Sequence, residues 1–307
     1  MTTYAPTAID LSRIPAPAAI EALDYETLLS AVVTRFKAFW ADARQTDPSL
    51  PDYDVDMLET DPAMIVGQVF AYLRLLDRQR VNDGIKALLA PFAQGTDLDN
   101  IVARQGIARL TVIPATANEP AVMETDIALL RRYLLSFDRP SAGSAARYLY
   151  EAWTAWPGMR DARVNGFKVH GRRGDTDIVI IGPDGDLATP EQRGLVSDAV
   201  RADHVKPEAV SVSVLDATRV EYAISLTIEV APGPDPEIVR QEAIARITSA
   251  ALARMLIGGE IPPGLLKGAA YGASVISVTD HAPVTIAADP YSVPVMTSLN
   301  VAVEVRS

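Results

Sequence analysis

From Asp24 onward, Leu28, Leu29, Val32, Val33, Phe36, Phe39 and Trp40 recur three and four residues apart. That spacing puts them on one stripe and predicts an amphipathic helix. Asp24 is placed to cap it, and Glu26 suits the positive end of its first turn. A longer helix is predicted over roughly 62–93, opening on Asp61 and Pro62. Ile65, Val69, Leu73 and Leu76 mark its stripe, and Val81, Ile85, Leu88 and Phe92 continue it after a slip. Gly95 is expected to end it, and Thr96 with Asp99 has the form of a capping box opening a shorter helix through Ile101 and Ala103. An extended arm with Pro6, Pro15 and Pro17 precedes these helices. Two striped helices and an arm leave little chain to cover both flanks of each helix. That favours packing on another chain.

Past residue 110 the pattern changes. Pro114 and Pro120 mark a boundary, a helix is predicted at 126–136, and RPSAGS at 139–144 turns the chain. Helical and strand periods then alternate. Helices are expected near 144–156, 190–202, 236–256 and 263–271; strands near 162–170, 178–181, 210–214, 220–230, 274–280 and 298–306. The clearest strand sets Val220, Tyr222, Ile224, Leu226, Ile228 and Val230 against Glu221, Ala223, Ser225, Thr227 and Glu229. Strict alternation means one buried face and one wet face. The expected fold class is α+β, a helical N-terminal region followed by two small α+β domains with mainly antiparallel sheets. The expected divisions are an arm at 1–24, a helical region at 25–110, a linker and helix at 111–142, and α+β domains at 143–217 and 218–307.

Composition narrows the function. The 307 residues are 49% hydrophobic and 22% charged, an ordinary globular balance. A net charge of −11 repels phosphate backbones and anionic headgroups, so neither nucleic acid nor membrane is an expected partner. No apolar run reaches the length of a membrane span, and residues 1–24 lack the basic and apolar segments of a secretory signal. The absence of cysteine removes disulfides, thiolate metal sites and thiol catalysis.

The remaining candidates for chemistry fail on geometry. Asp52, Asp54 and Asp56 suggest a calcium loop, but Met57 and Ala63 stand where a glycine and a bidentate glutamate are needed. They read as a solvated loop before Pro62. His170, His204 and His281 are the three histidines, and no pair has metal-site spacing. Asp280 adjoins His281, yet chain neighbours rarely orient one another as a dyad. No glycine-rich phosphate cradle occurs. Arg173-Gly174-Asp175 sits in an expected hairpin turn and reads as a turn. Lys168, Arg172 and Arg173 form a small basic spot. No catalytic, cofactor-binding or metal-ligating residue is expected, and the chain reads as an acidic interaction protein.

Several short stretches carry a resemblance. Ile9-Asp10-Leu11, Ile14-Pro15-Ala16-Pro17 and Glu21-Ala22-Leu23-Asp24-Tyr25-Glu26 resemble the opening of the baseplate J-like proteins of contractile phage tails. Tyr72–Asn82, with Arg78-Gln79-Arg80-Val81-Asn82, is similar to that family's long N-terminal helix, and Gly95-Thr96-Asp97-Leu98-Asp99 to its next step. Glu124-Thr125-Asp126, Ser141-Ala142-Gly143-Ser144, the aromatics Tyr148 and Tyr150, and Pro232-Gly233-Pro234 follow in the same order. The resemblance spans nearly the whole chain and is strongest to P2-like tails. The acidic loop 46–61 and the prolines Pro283, Pro290 and Pro294 match no part of it.

The resemblance implies a structural wedge subunit with no enzymatic role. Two copies would join one tail-protein-I-like partner in each wedge, and six wedges would ring the hub. Sheath initiator and central hub or spike proteins would be neighbours. The N-terminal helices would join a bundle with the partner, the C-terminal domains would pair between copies, and the wedges would relay the contraction signal. The residues expected at the bundle are Leu28, Val32, Phe36, Trp40, Leu73, Leu76, Val81 and Ile85. The expected location is the virion tail baseplate, after synthesis in the host bacterial cytoplasm. The same role in a non-viral contractile injection particle, or a tail-fibre adaptor, is the alternative.

Overall fold

Asp24 accepts backbone N–H bonds from Glu26 and Thr27 and so starts the first helix, α1 (Tyr25–Thr46). Asp61 does the same through Ala63, with Pro62 at the first position of α2 (Pro62–Ala87). The computed structural model describes residues 15, 17–51 and 61–306. Most of the N-terminal arm and Asp52–Asp56 therefore lie outside the described residues. α2 stops before the expected 93. Leu88 and Leu89 bond back only three residues, and Pro91 disfavours helix at the residue before it. The third helix, α3 (Gly95–Ala103), has Gln94 at its N-cap with no side-chain bond, so the capping box expected at Thr96 does not form. Leu98, Ile101 and Val102 of α3 are buried.

The chain divides into compact units over residues 1–108 and 109–307. The second unit opens with a short hairpin, β1 (Thr111–Ile113) and β2 (Val122–Met123), in a stretch the prolines predicted as boundary. Helices α4 (Asp126–Ser136) and α5 (Ala145–Ala155) follow, each opened by a hydroxyl cap from Thr125 or Ser144. Glu124 and Arg132 form a doubly hydrogen-bonded ion pair, both distances 2.8 Å, with both side chains buried. Glu124 also accepts the Leu110 N–H at 3.2 Å, so one buried carboxylate ties α4 to the chain before β1.

Next come β3 (Asp161–Asn165), the one-turn α6 (Phe167–His170), β4 (Asp175–Ile181), α7 (Pro190–Arg201) and β5 (Ser211–Asp216). The expected strand at 162–170 is thus cut at Gly166, and His170 ends a helical turn. There Asn165 O lies 3.1 Å from its Nε2, and the Arg172 N–H donates to its Nδ1 at 3.0 Å. β4 lies between β3 (antiparallel) and β5 (parallel). Its Ile178–Ile181 run is fully buried, because both faces of β4 are covered. Thr189 and Gln192 close a reciprocal capping box at the start of α7. Thr189→Ala should lower unfolding free energy by about 1 kcal/mol in urea titration, with an unchanged m-value.

The last segment holds β6 (Thr218–Val230), α8 (Pro236–Arg254), α9 (Leu265–Ala270), β7 (Val275–Asp280) and β8 (Ser292–Val305). The sheet order is β7-β6-β8, with β7 antiparallel and β8 parallel to β6. Tyr222, Ile224, Leu226, Ile228 and Val230 face Val239, Ala243 and Ile247 of α8, as the alternation required. The architecture is α+β, and three of the five ladders are antiparallel. The parallel ones arise where a helix carries the chain back across the sheet. β8 starts earlier than expected and runs through Pro294. Its ladder parity points residue 294 away from β6, so the missing N–H costs no bond there.

The sheets share a core. Only Ala217 separates β5 from β6, and Val179 and Ile181 pack with Met255, Ile257, Val293 and Val295. Along β3, Arg160 donates to Leu252 O, Asp161 accepts from Ile257 N, and Asn165 donates to Pro290 O, at 2.6, 2.8 and 2.8 Å. Gly258 passes so close beneath Arg163 that a Cβ there would sit 2.2 Å from Nη1. The buried Asp177 accepts from Tyr291 Oη at 2.7 Å and from Arg172. Burial opposes the Asp177 charge, yet Tyr291 and Arg172 outweigh it and hold the carboxyl below its usual value. Burial, then the Asp177 carboxylate, push the Tyr291 phenol up to about 12. A phenol raised on folding stabilises below its unfolded pKa of about 10, and that stability is lost as pH rises through about 12. Asp177 has the opposite sign: its contribution is present above the unfolded value of about 3.9 and fades as pH falls through the folded one. Tyr291→Phe should flatten thermal stability against pH between about 10 and 12, measured by circular dichroism melts.

Candidate partner-binding surface

α1 and α2 pack on one another through a narrow seam. Gly67 and Ala71 of α2 are buried, and a Cβ at Gly67 would meet Val32 at 3.6 Å and Leu29 at 3.9 Å. Small residues let the helices approach here, with Leu28, Leu29, Val32, Val33 and Phe36 half-buried along the seam. Phe36 stacks on Trp40 at 6.2 Å between centroids, and Trp40 Nε1 donates to Pro51 O at 3.1 Å. Asn82 exchanges bonds with Glu21, donating to its O at 2.9 Å and accepting from its N at 3.1 Å. Arg78 adds an ion pair to Glu21 at 2.9 Å. These hold the segment before α1 against α2.

Burial on this pair is slight. α1 has no fully buried residue, and α2 has only Gly67, Ala71 and Asn82. The apolar side chains of α2 point elsewhere: Ile65, Val66, Val69, Phe70, Tyr72, Leu73, Leu76, Val81 and Leu88 are all exposed. Leu73 is 51% exposed, Leu76 42% and Val81 61%. At about 100° per residue, Gly67, Ala71 and Asn82 cluster on one side of α2, Ile65, Val66, Val69, Tyr72, Leu73 and Leu76 lie on the other, and Phe70, Val81 and Leu88 stand on the flank between. A helical stretch that is apolar nearly all round, as Met64–Leu76 is, belongs inside a core, and α1 covers only one flank of it.

The eight residues expected at a bundle therefore separate. Leu28, Val32, Phe36, Trp40 and Ile85 are half-buried, whereas Leu73, Leu76 and Val81 lie open. The open face also includes Val66, Phe70 and Tyr72, which the single stripe did not single out. The signal was in the sequence: MIVGQVFAYLRLL is apolar at almost every phase.

No group of three or more His, Asp or Glu side chains among the described residues is arranged to hold a metal ion. No described helix is long and apolar enough to cross a membrane. His281 Nε2 meets Thr227 Oγ1 at 2.8 Å, while Asp280 accepts from Ala282 N, so the adjacent pair forms no dyad. A recess of about 320 Å³ lies between the β1–β2 hairpin, α4 and the end of α5, with Ile127 and Trp153 among its walls. Arg131 stacks over Trp153 there at 4.7 Å. Burial lowers the Arg131 pKa and raises that of Asp161, nearby in sequence to Arg160. Of the polar groups lining the recess, Glu124 is paired with Arg132 and the Thr125 hydroxyl caps α4.

Comparison with known proteins fits the picture of an assembly component. The sequence model of the baseplate J-like N-terminal domain matches residues 59–116, which include all of α2 and α3. Baseplate protein J of Escherichia phage P2 is 31% identical over 260 residues, covering 82% of this chain and 83% of its own length. A chain in the cryo-EM structure of the anti-feeding prophage baseplate is 12% identical, with a TM-score of 0.38 over 58% of this chain and 44% of that one. The identity to the P2 protein, sustained over most of both chains, carries the assignment: the chain belongs to the baseplate J-like protein family and is a tail baseplate subunit.

Proposed function

We propose that the chain is a wedge subunit of a contractile tail baseplate and acts by assembly, without turnover. The observation that carries this reading is the open apolar face of α2, from Ile65 through Val81, on a helix that the described residues cover along one flank only. Covering a half-exposed Leu or Val yields about 1 kcal/mol, so five or six such residues supply a substantial contact. A helix laid along that face completes a bundle with α1 and α2. The partner is a helical wedge protein of the tail-protein-I kind. Two copies of this chain join one such partner, and six wedges ring the hub, next to sheath initiator and hub or spike proteins. The helical region 25–110 makes the bundle, and residues 218–307 pair copies.

The test is co-expression with the helical partner, followed by light scattering on the purified complex. A mass equal to two copies of this chain and one partner is expected. A monomer that ignores the partner contradicts the reading.

A further inference from the structure

The two halves of β8 differ. Ser292–Val295 are buried, and Ser292 O accepts the Gly258 N–H at 2.8 Å. Pro294 and the irregularity between Met296 and Ser298 interrupt the outer side of this half. Proline and a bulge are devices that stop an edge from pairing. From Ser298 to Val305 neither occurs. β8 has β6 as its one neighbour among the described residues, and the even-numbered residues from Ser298 to Glu304 are exposed. Arg306 N bonds to Val230 O, so residues 304 and 306 face β6. The backbone groups of Leu299, Val301, Val303 and Val305 therefore face away from it. This stretch is β-branched at Val301, Val303 and Val305, and its N–H and C=O groups on that side have no strand beside them among the described residues.

We propose that this edge pairs antiparallel with the same edge of a second copy, Ala302 facing Ala302 across the two-fold axis. The side chains set the register. With Ala302 at the centre, Val301 faces Val303 of the copy and Leu299 faces Val305, which is 49% exposed in the single chain. On the wet face Glu304 meets Asn300, and Arg306 meets Ser298. No like charges oppose each other, and every outward backbone group from 299 to 305 finds a partner. Moving the centre to residue 304 would set Glu304 against Glu304. The strand is complementary to itself, which selects a second copy as occupant. The two sheets then form one, β7-β6-β8-β8-β6-β7. The pairing deepens the wedge reading, on which its place in the assembly rests.

Ala302 lies in a non-hydrogen-bonded pair, where Cα atoms are about 4.5 Å apart, within disulfide range. Asn300 would sit about 13 Å from its own copy. The full chain has no cysteine, so Ala302→Cys and Asn300→Cys each carry one thiol on an exposed, open-face position. Under mild oxidation Ala302→Cys should yield at least about ten times more disulfide dimer than Asn300→Cys. Equal yields, or no dimer from either, overturn the pairing. In a second arm, Ala302→Glu and Ala302→Lys should each self-associate weakly and recover when mixed; no recovery overturns it. Co-purification with the helical partner is scored in parallel. Partner binding without the Ala302→Cys dimer leaves the wedge reading and removes the pairing; the dimer without partner binding does the reverse.

Discussion

Arg132→Ala should lower unfolding free energy by about 3–5 kcal/mol, the largest stability loss expected from one substitution outside the apolar core. The reason is the carboxylate left behind. Glu124 is buried and depends on Arg132 for two of its bonds, with Leu110 N supplying another. Removing the guanidinium leaves a charge with no access to water. For a unit of this size the melting temperature should fall by roughly 10 °C. Arg132→Met combined with Glu124→Leu should regain part of the loss, because the charge and its desolvation vanish together. Melts of the three proteins decide. A drop of only a degree or two for Arg132→Ala would mean that water reaches the pair.

The second large effect is on assembly and not on stability. Leu73→Asp with Val81→Asp should weaken the complex with the helical partner by roughly a thousand-fold, about 2 kcal/mol for each carboxylate forced into an apolar contact. The chain alone should stay within about 0.5 kcal/mol of its original stability, because both positions are exposed. Ala71→Asp is the contrasting case. Ala71 is fully buried in the α1–α2 seam, so its variant should lose stability as well as assembly. Binding by interferometry and urea unfolding of each variant separate the two effects.

Helices and strands with a strong period were legible in the sequence. The 220–230 alternation and the capped starts at Asp24 and Asp61 each carry their own physical signal. What escaped was set by tertiary context. The parallel ladders of β4–β5 and β6–β8 depend on which strands meet after a helical return, and local periodicity does not encode that. Pro294 sits inside β8 because its side of the ladder is an edge, a fact of topology. Pro91 was a local stop signal that the continuing apolar stripe outweighed in the reading of α2. The surface was half legible. Apolar spacing named Leu73, Leu76 and Val81, but only the packing of Gly67 and Ala71 against α1 shows which side of α2 stays open.

In the assembled baseplate the open face of α2 should be covered. Hydrogen–deuterium exchange over residues 62–88, in the isolated chain and in purified tails, tests it most directly. α2 carries few buried side chains on its own, so its amides should exchange readily in the isolated chain and slow by at least about ten-fold in tails. Equal exchange in both would mean that nothing covers α2, and would contradict the account.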